Sequence, residues 1–170
     1  MENKYQKINK LLFKPTAKVQ FLRIIVLIAI FYPWFKYICI PEVIKGKSMM
    51  PTYPESGFTF CWTPAVWNGQ LPKRQSVVVM KYKGRKVMLL KRLIAFGGET
   101  VQFYRGKLYV DGYPLNEPYV KYPCNWTSKP ITLKKNEIYV IGDNRNMKFQ
   151  KHIGGVMKKN KLLGVPVAIW

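Results

Sequence analysis

Apolar and polar positions divide this chain into two unlike parts. Ile24 to Phe35 is an unbroken run of twelve residues without a charge or a polar amide, and Lys36 is followed at once by Tyr37, Ile38, Cys39 and Ile40. Twelve residues are few for a bilayer crossing, which takes about 20. If Lys36 extends its ammonium toward head groups, and Tyr32, Trp34, Phe35 and Tyr37 sit at the interface, the segment from Phe21 to Ile40 reaches that length. Pro33 has no N–H to donate and should kink or end the helix near the outer interface. Residues 1–23 carry six basic side chains (Lys4, Lys7, Lys10, Lys14, Lys18, Arg23) against one acid, Glu2. A basic start and a short apolar stretch also describe a cleavable signal peptide. Tyr37 to Val43 offers no small-x-small cleavage site, so an uncleaved signal anchor is the expectation. The bias of basic residues then keeps the N-terminus in the cytoplasm and sends everything beyond the anchor across the membrane.

From Val43 onward the pattern shortens to strands and turns. Val77 to Met80 is one apolar run, Tyr82-Lys83-Gly84-Arg85 reads as a turn, and Lys86 to Phe96 returns. Thr100 to Tyr104 and Lys107 to Val110 flank Arg105-Gly106, a strong hairpin signal, and Asp111-Gly112 marks another tight turn before Tyr113. Tyr119 to Pro130 reads as an irregular loop, Glu137 to Ile141 as a strand, Met147 to Asn160 as a polar and basic stretch, and Leu162 to Trp170 as a last strand. A mostly β domain follows, with boundaries at 1–20 for the basic N-terminus, 21–40 for the transmembrane anchor and 41–170 for the extracytoplasmic domain.

Charge adds a partner. The net charge is +21 in 170 residues, from 29 basic against 8 acidic side chains. Such a field favours anionic phospholipid or nucleic acid. The chain has no zinc-ligand spacing, helix-turn-helix pattern or aromatic RNA-binding signature, so an anionic membrane surface is the expected partner and nucleic acid is not. Of the three cysteines, Cys61 and Cys124 could pair in an oxidising compartment or remain free thiols. No C-x-x-C motif points to a metal or redox role.

The candidate chemistry rests on Ser48 and Lys91. Ser48 lies in Gly46-Lys47-Ser48-Met49-Met50-Pro51-Thr52, just after the apolar segment. Lys91 ends an apolar run. The one histidine, His152, reads as a surface residue in a basic loop, which makes a Ser-His-Asp triad a poor fit. A serine hydroxyl needs a base, and a lysine serves as one only when neutral. At its ordinary pKa of about 10.4 roughly one lysine in a few thousand is neutral at pH 7. Burial among Met88, Leu89, Leu90, Leu93 and Ile94 would lower that pKa, and Arg92 would push the same way if it came close.

Three segments, in this order, resemble bacterial type I signal peptidases. They are the Ser48 segment, then Lys91-Arg92-Leu93-Ile94-Ala95-Phe96-Gly97-Gly98-Glu99-Thr100-Val101, then Tyr139-Val140-Ile141-Gly142-Asp143-Asn144-Arg145. The resemblance covers about residues 20–170. It implies a signal-peptidase-like coiled β-sheet or barrel catalytic domain behind one anchor in the cytoplasmic (inner) membrane, with that domain on the periplasmic side. It implies a membrane-bound serine endopeptidase that cleaves signal peptides from exported preproteins, with Ser48 as nucleophile, Lys91 as base and no cofactor. Arg92, Asp143 and Arg145 would support the site. Small residues at the −1 and −3 positions would enter shallow pockets built by Ile44, Met49, Tyr53, Leu89 and Leu90. The backbone N–H of Ser48 would hold the oxyanion, and Gly46 removes the hydroxyl that some relatives add there.

The pattern also departs from the resemblance. Lys148 and Gln150 stand where a serine that bonds the lysine and a following aspartate are usual, Glu99 replaces an aspartate, and Arg74-Gln75-Ser76-Val77 replaces a Gly-Asp-x-Val turn. A nearby Lys148 would help keep Lys91 neutral by like-charge repulsion. The departures motivate an alternative expectation, a catalytically silent homologue that binds peptides or partners in a secretion or conjugation system.

Overall fold

The computed structural model describes residues 4–6, 16–82 and 87–169. The turn expected at 82–85 and the basic residues Lys7, Lys10 and Lys14 lie largely or wholly outside them. The described chain falls into two compact units that meet between Ile38 and Cys39.

The first unit is helical. Helix α1 (Ala17–Pro33) ends at its proline, and the chain continues through one wider, π-type turn over Trp34–Ile38. Pro33 can donate no hydrogen bond, and its ring crowds the carbonyl four residues earlier, so the regular α pattern stops there. Ala17–Ile38 spans 22 residues and is long and apolar enough to cross a membrane. At 1.5 Å per residue that is about 33 Å, against ~30 Å of hydrocarbon. Lys36 turns back along the helix and donates to the Tyr32 hydroxyl at 3.1 Å.

The second unit is all antiparallel β. Seven strands form one sheet in the order β1-β2-β11-β3-β4-β9-β10, and four form another in the order β7-β6-β5-β8. In chain order the large sheet comprises β1 (Cys39–Lys45), β2 (Ser56–Trp62), β3 (Val77–Tyr82), β4 (Val87–Phe96), β9 (Glu137–Ile141), β10 (Gly155–Lys158) and β11 (Leu162–Ile169). The small one comprises β5 (Thr100–Tyr104), β6 (Lys107–Val110), β7 (Tyr113–Pro114) and β8 (Ile131–Thr132). Both turns flagged in the sequence take the twist that two-residue hairpins need: φ is +46° and +81° at Arg105-Gly106, and +50° and +81° at Asp111-Gly112.

The continuous apolar run in β3 is buried on both faces. Val78 and Met80 pack with Leu93, Ile138 and Val140, while Val79 packs with Cys61 and Leu163. A separate cluster joins the two sheets: Ile94, Tyr139 and Ile141 meet Val101, Phe103, Leu108 and Leu133. Strand β11 sits mid-sheet between β2 and β3, and its pairing with β2 shifts register between Pro166 and Ile169, the kind of irregularity that tolerates a proline inside a sheet. Strand β10 lies within the stretch read from sequence as polar and basic. It is an edge strand whose residues alternate between half-buried and exposed, so it shows little apolar signal.

The cysteines are unpaired. Cys61 is buried on β2 against Val79 and Leu163, whereas Cys124 sits in the 119–130 loop with its thiol directed at the Gly106 carbonyl, 3.6 Å away.

Candidate active site

The segment after β1 turns sharply at Gly46 (φ +111°) into a single 3₁₀ turn, Lys47–Met49, that carries Ser48. Met49 anchors this turn, packing with Ile44 and Tyr53 and with the half-buried Val77 and Leu90. Lys91 enters from β4, where it pairs with Val78 of β3. Only 3% of Lys91 is exposed, and its Nζ lies 2.5 Å from Ser48 Oγ. Burial pushes the amine down to about 8, and the negative charge of Asp143 works the other way. The lowering therefore comes from desolvation, not from like charge. Lys148 is exposed to solvent, and Arg92 is neutralised by a partner.

That partner is Asp143, which is fully buried and accepts from Arg92 Nε at 2.7 Å, from Arg92 Nη2 at 2.5 Å and from the Thr52 hydroxyl at 2.6 Å. Arg92 also donates to the Gln75 carbonyl at 2.6 Å and lies 3.8 Å from the centre of the Tyr119 ring. Arg145, 1% exposed, donates to the Gly142 carbonyl and to both oxygens of Glu117. Sequence reasoning named Arg92, Asp143 and Arg145 but missed Thr52 and Glu117. Thr52 closes the Ser48 segment and could have been found there. Glu117 reaches Arg145 only through the fold.

The Gly-Asp-Asn-Arg segment also clamps the turn that carries Ser48. Asn144 donates its backbone N–H to the Ser48 carbonyl at 3.0 Å, and its Nδ2 to the Lys47 carbonyl at 3.0 Å. It thereby holds two consecutive carbonyls of the serine loop. Gly142 is needed for contact. A Cβ there would stand 2.2 Å from the Ser48 carbonyl oxygen, a backbone atom that can retreat only by moving the serine. Gly142→Ala is therefore expected to lower kcat about 100-fold through misplacement on the order of 1 Å. Steady-state cleavage beside a thermal melt checks it; a wild-type kcat in a folded variant contradicts the packing described.

Two of the sequence departures compensate each other. Arg74 donates to both oxygens of Glu99 at 3.0 and 2.6 Å, and also to the Ile94 carbonyl. Burial opposes the charge on Glu99, but Arg74 and the Phe96 N–H hold its carboxyl below the ordinary value.

Of the pocket residues expected from sequence, Ile44, Met49, Tyr53 and Leu90 come together, but Leu89 packs into the Val78 cluster instead. Successive strand residues face opposite ways, which puts the Leu89 side chain on the other face of β4 from Leu90. His152, expected on the surface, is packed inward. Its ring meets Trp126 at 5.0 Å between centroids, and both ring nitrogens are shut off from solvent without a hydrogen-bond partner.

A serine hydroxyl in bonding contact with a buried amine is, by class, the pairing of a serine hydrolase. The family model for signal peptidase, peptidase S26, matches residues 17–170. A Bacillus subtilis subsp. natto protein named signal peptidase I P is 30% identical over 135 residues, spanning 73% of this chain and 72% of its own length. A probable signal peptidase I-1 of Synechocystis sp. is 26% identical over 136 residues, spanning 75% of this chain and 69% of its own. A crystal structure of a signal peptidase I from Enterococcus faecalis V583 superposes with a TM-score of 0.45 at 24% identity, covering 56% of this chain and 97% of that one. The chain belongs to the signal peptidase family, peptidase S26, and is a signal peptidase I-like serine endopeptidase.

Proposed function

We propose that this endopeptidase is held in the cytoplasmic membrane by the Ala17–Ile38 helix and cuts signal peptides from exported preproteins with a Ser48-Lys91 dyad. The observation that carries the reading is the 2.5 Å contact between Lys91 Nζ and Ser48 Oγ, made by an amine that burial brings down to about 8. Neutral Lys91 takes the Ser48 proton as the hydroxyl oxygen attacks the scissile carbonyl. The Ser48 N–H faces the oxyanion that forms. The amine then returns its proton to the leaving nitrogen, the peptide bond breaks, and an ester to Ser48 remains. Lys91, neutral again, takes a proton from the water that attacks the ester. It gives that proton to Ser48 Oγ as the acyl–oxygen bond breaks, which releases the peptide as an acid and restores both groups.

An extended peptide fits the strands beside the dyad. Strand β1 is an edge of the large sheet, and β9 pairs with β4 from Arg92 onward, so Met88 to Leu90 have a described strand partner on the β3 side only. A substrate strand hydrogen-bonded near Val43-Ile44 and Met88-Leu90 would lay small side chains against Ile44, Met49, Tyr53 and Leu90. Because these four are already packed together, they favour alanine-sized groups. Phe58, Phe60 and Trp62 on β2, with Trp67 beyond it, supply an aromatic surface suited to a bilayer interface, and the +21 charge favours anionic lipid.

Detergent-solubilised protein incubated with a preprotein tests the reading. Wild type should release the mature chain, and Ser48→Ala should release none while melting at the same temperature. Cleavage retained by Ser48→Ala rules the dyad out.

A further inference from the structure

The chain has eight acidic side chains, of which Glu2 lies outside the described residues. Arginines hold Glu99, Glu117 and Asp143, Lys47 holds Glu55, and backbone N–H groups hold Asp111 and Glu137. Glu42 is the exception: among the described residues nothing donates to its half-buried carboxylate, and burial is what acts on it. In a chain with 29 basic side chains, an inward-facing acid without a partner calls for a reason.

The inward direction follows from the strand. Along β1 the exposed residues Pro41, Val43 and Lys45 alternate with Ile40, Glu42 and the buried Ile44. Glu42 stands opposite Thr59 and Ile40 opposite Cys61, both fully buried on β2, and opposed residues share a face. On either side of Glu42 this face of β1 meets β4: Ile44 shares a cluster with Leu90, and Ile40 shares one with Met88. Glu42 lies between the two, about 7 Å along the strand from Ile44. Lys81 on β3 faces the same side, opposite Met88, yet forms no ion pair with Glu42.

That spacing is also the repeat of a bound substrate strand. A peptide whose −1 side chain sits against Ile44, and which runs in the direction of β1, lays its −3 side chain against Glu42. Strand β1 begins at Cys39, directly after the apolar helix, and the apolar part of a signal peptide lies upstream of −3 in the same bilayer, which favours that direction.

We propose that Glu42 lines the −3 subsite and selects substrates with a basic side chain at −3. The proposal rests on the Ser48-Lys91 reading, and it departs from the small −3 residue that the resemblance implies. The carboxylate accepts a charge-assisted hydrogen bond from the −3 ammonium or guanidinium, and the neighbouring Ile40 and Met88 offer an apolar surface to its methylene stem. Burial raises the Glu42 carboxyl to about 7, so a cation brought against it favours the charged form that burial opposes.

Preproteins identical except at −3 test this. Wild type should cleave the −3 Lys form with kcat/KM about tenfold above the −3 Ala form, the effect of one hydrogen bond to a charged group. Glu42→Gln keeps the shape and removes the charge, and should bring that ratio to about one. Glu42→Lys should reverse the preference, favouring −3 Glu over −3 Lys. A Lys-to-Ala ratio that is the same in wild type and Glu42→Gln overturns the proposal, and is the outcome if Lys81 neutralises Glu42 in solution. Binding of the uncut −3 Lys and −3 Ala peptides to Ser48→Ala, with and without Glu42→Gln, reads the same preference as a ratio of Kd values and needs no cleavage. If Ser48→Ala is dead and shows no −3 preference, the dyad stands and the subsite falls. If it cleaves and shows none, both fall.

Discussion

Lys91→Met should abolish cleavage and at the same time make the protein more stable at neutral pH. Both effects come from one physical cause. The amine is 3% exposed, and burial lowers its pKa from the ordinary 10.5 to about 8. Because the folded-state pKa is the lower one, the unfolded chain binds this proton more tightly, and stability rises with pH between about 8 and about 10.4. Below pH 8 the folded state carries the whole cost of the buried charge, roughly 3 kcal/mol at ~1.4 kcal/mol per pKa unit. Methionine has similar length and no charge, so it removes that cost along with the amine proposed as base. The variant should exceed wild type by up to that amount near pH 6.5, and the gap should close as pH approaches 10. Denaturant melts at a series of pH values measure it. Wild-type kcat should rise with pH through a midpoint near 8, with about one-tenth of the amine neutral at pH 7. A Lys91→Met variant that cleaves, or one less stable than wild type at pH 6.5, contradicts this account.

Asp143→Asn should cost the domain about 3–5 kcal/mol and roughly 10 °C or more in melting temperature. The substitution leaves the Arg92 guanidinium, whose side chain is 9% exposed, without its counter-charge. Breaking one partner of a buried pair costs far more than the pair was worth intact, because the remaining charge stays desolvated. The Gln75 carbonyl and the Tyr119 ring still hold Arg92, which favours the lower end of that range. The folded fraction should also show its acid limb at lower pH than wild type, since Asp143 is the group that raises the Lys91 pKa. Removing both partners separates the effects. Asp143→Leu with Arg92→Met should recover most of the stability but keep the shifted limb. A single variant that melts like wild type would mean the pair is solvated in solution and does not brace the site.

Much of this protein was legible along the chain because its signals are local. The two positive-φ turns at Arg105-Gly106 and Asp111-Gly112 were readable because few residue pairs adopt that geometry. The apolar helix and its end at Pro33 followed from length and from a missing N–H. Strand β10 was not legible, because an edge strand half in water carries no apolar alternation. The sequence grouped Leu89 with Leu90 because they are neighbours along the chain, and the strand turns the two to opposite faces. His152 read as exposed because its basic surroundings are hydrophilic, and nothing local records that Trp126, 26 positions earlier, folds over it.

The sequence by itself determined which groups are present and what they need: a serine without a histidine beside it, a lysine in an apolar run, a helix of bilayer length, and hairpins with fixed turns. Only the tertiary structure decided what those groups meet. It set β11 into the middle of the large sheet, drew Asp143 onto Arg92 and Glu117 onto Arg145, and brought Ser48 within 2.5 Å of an amine 43 residues away. The physical reason is that a turn or a helix end is specified by the few dihedral angles of adjacent residues. A desolvated amine and its partners depend instead on strand pairings across most of the domain, and these form together or not at all.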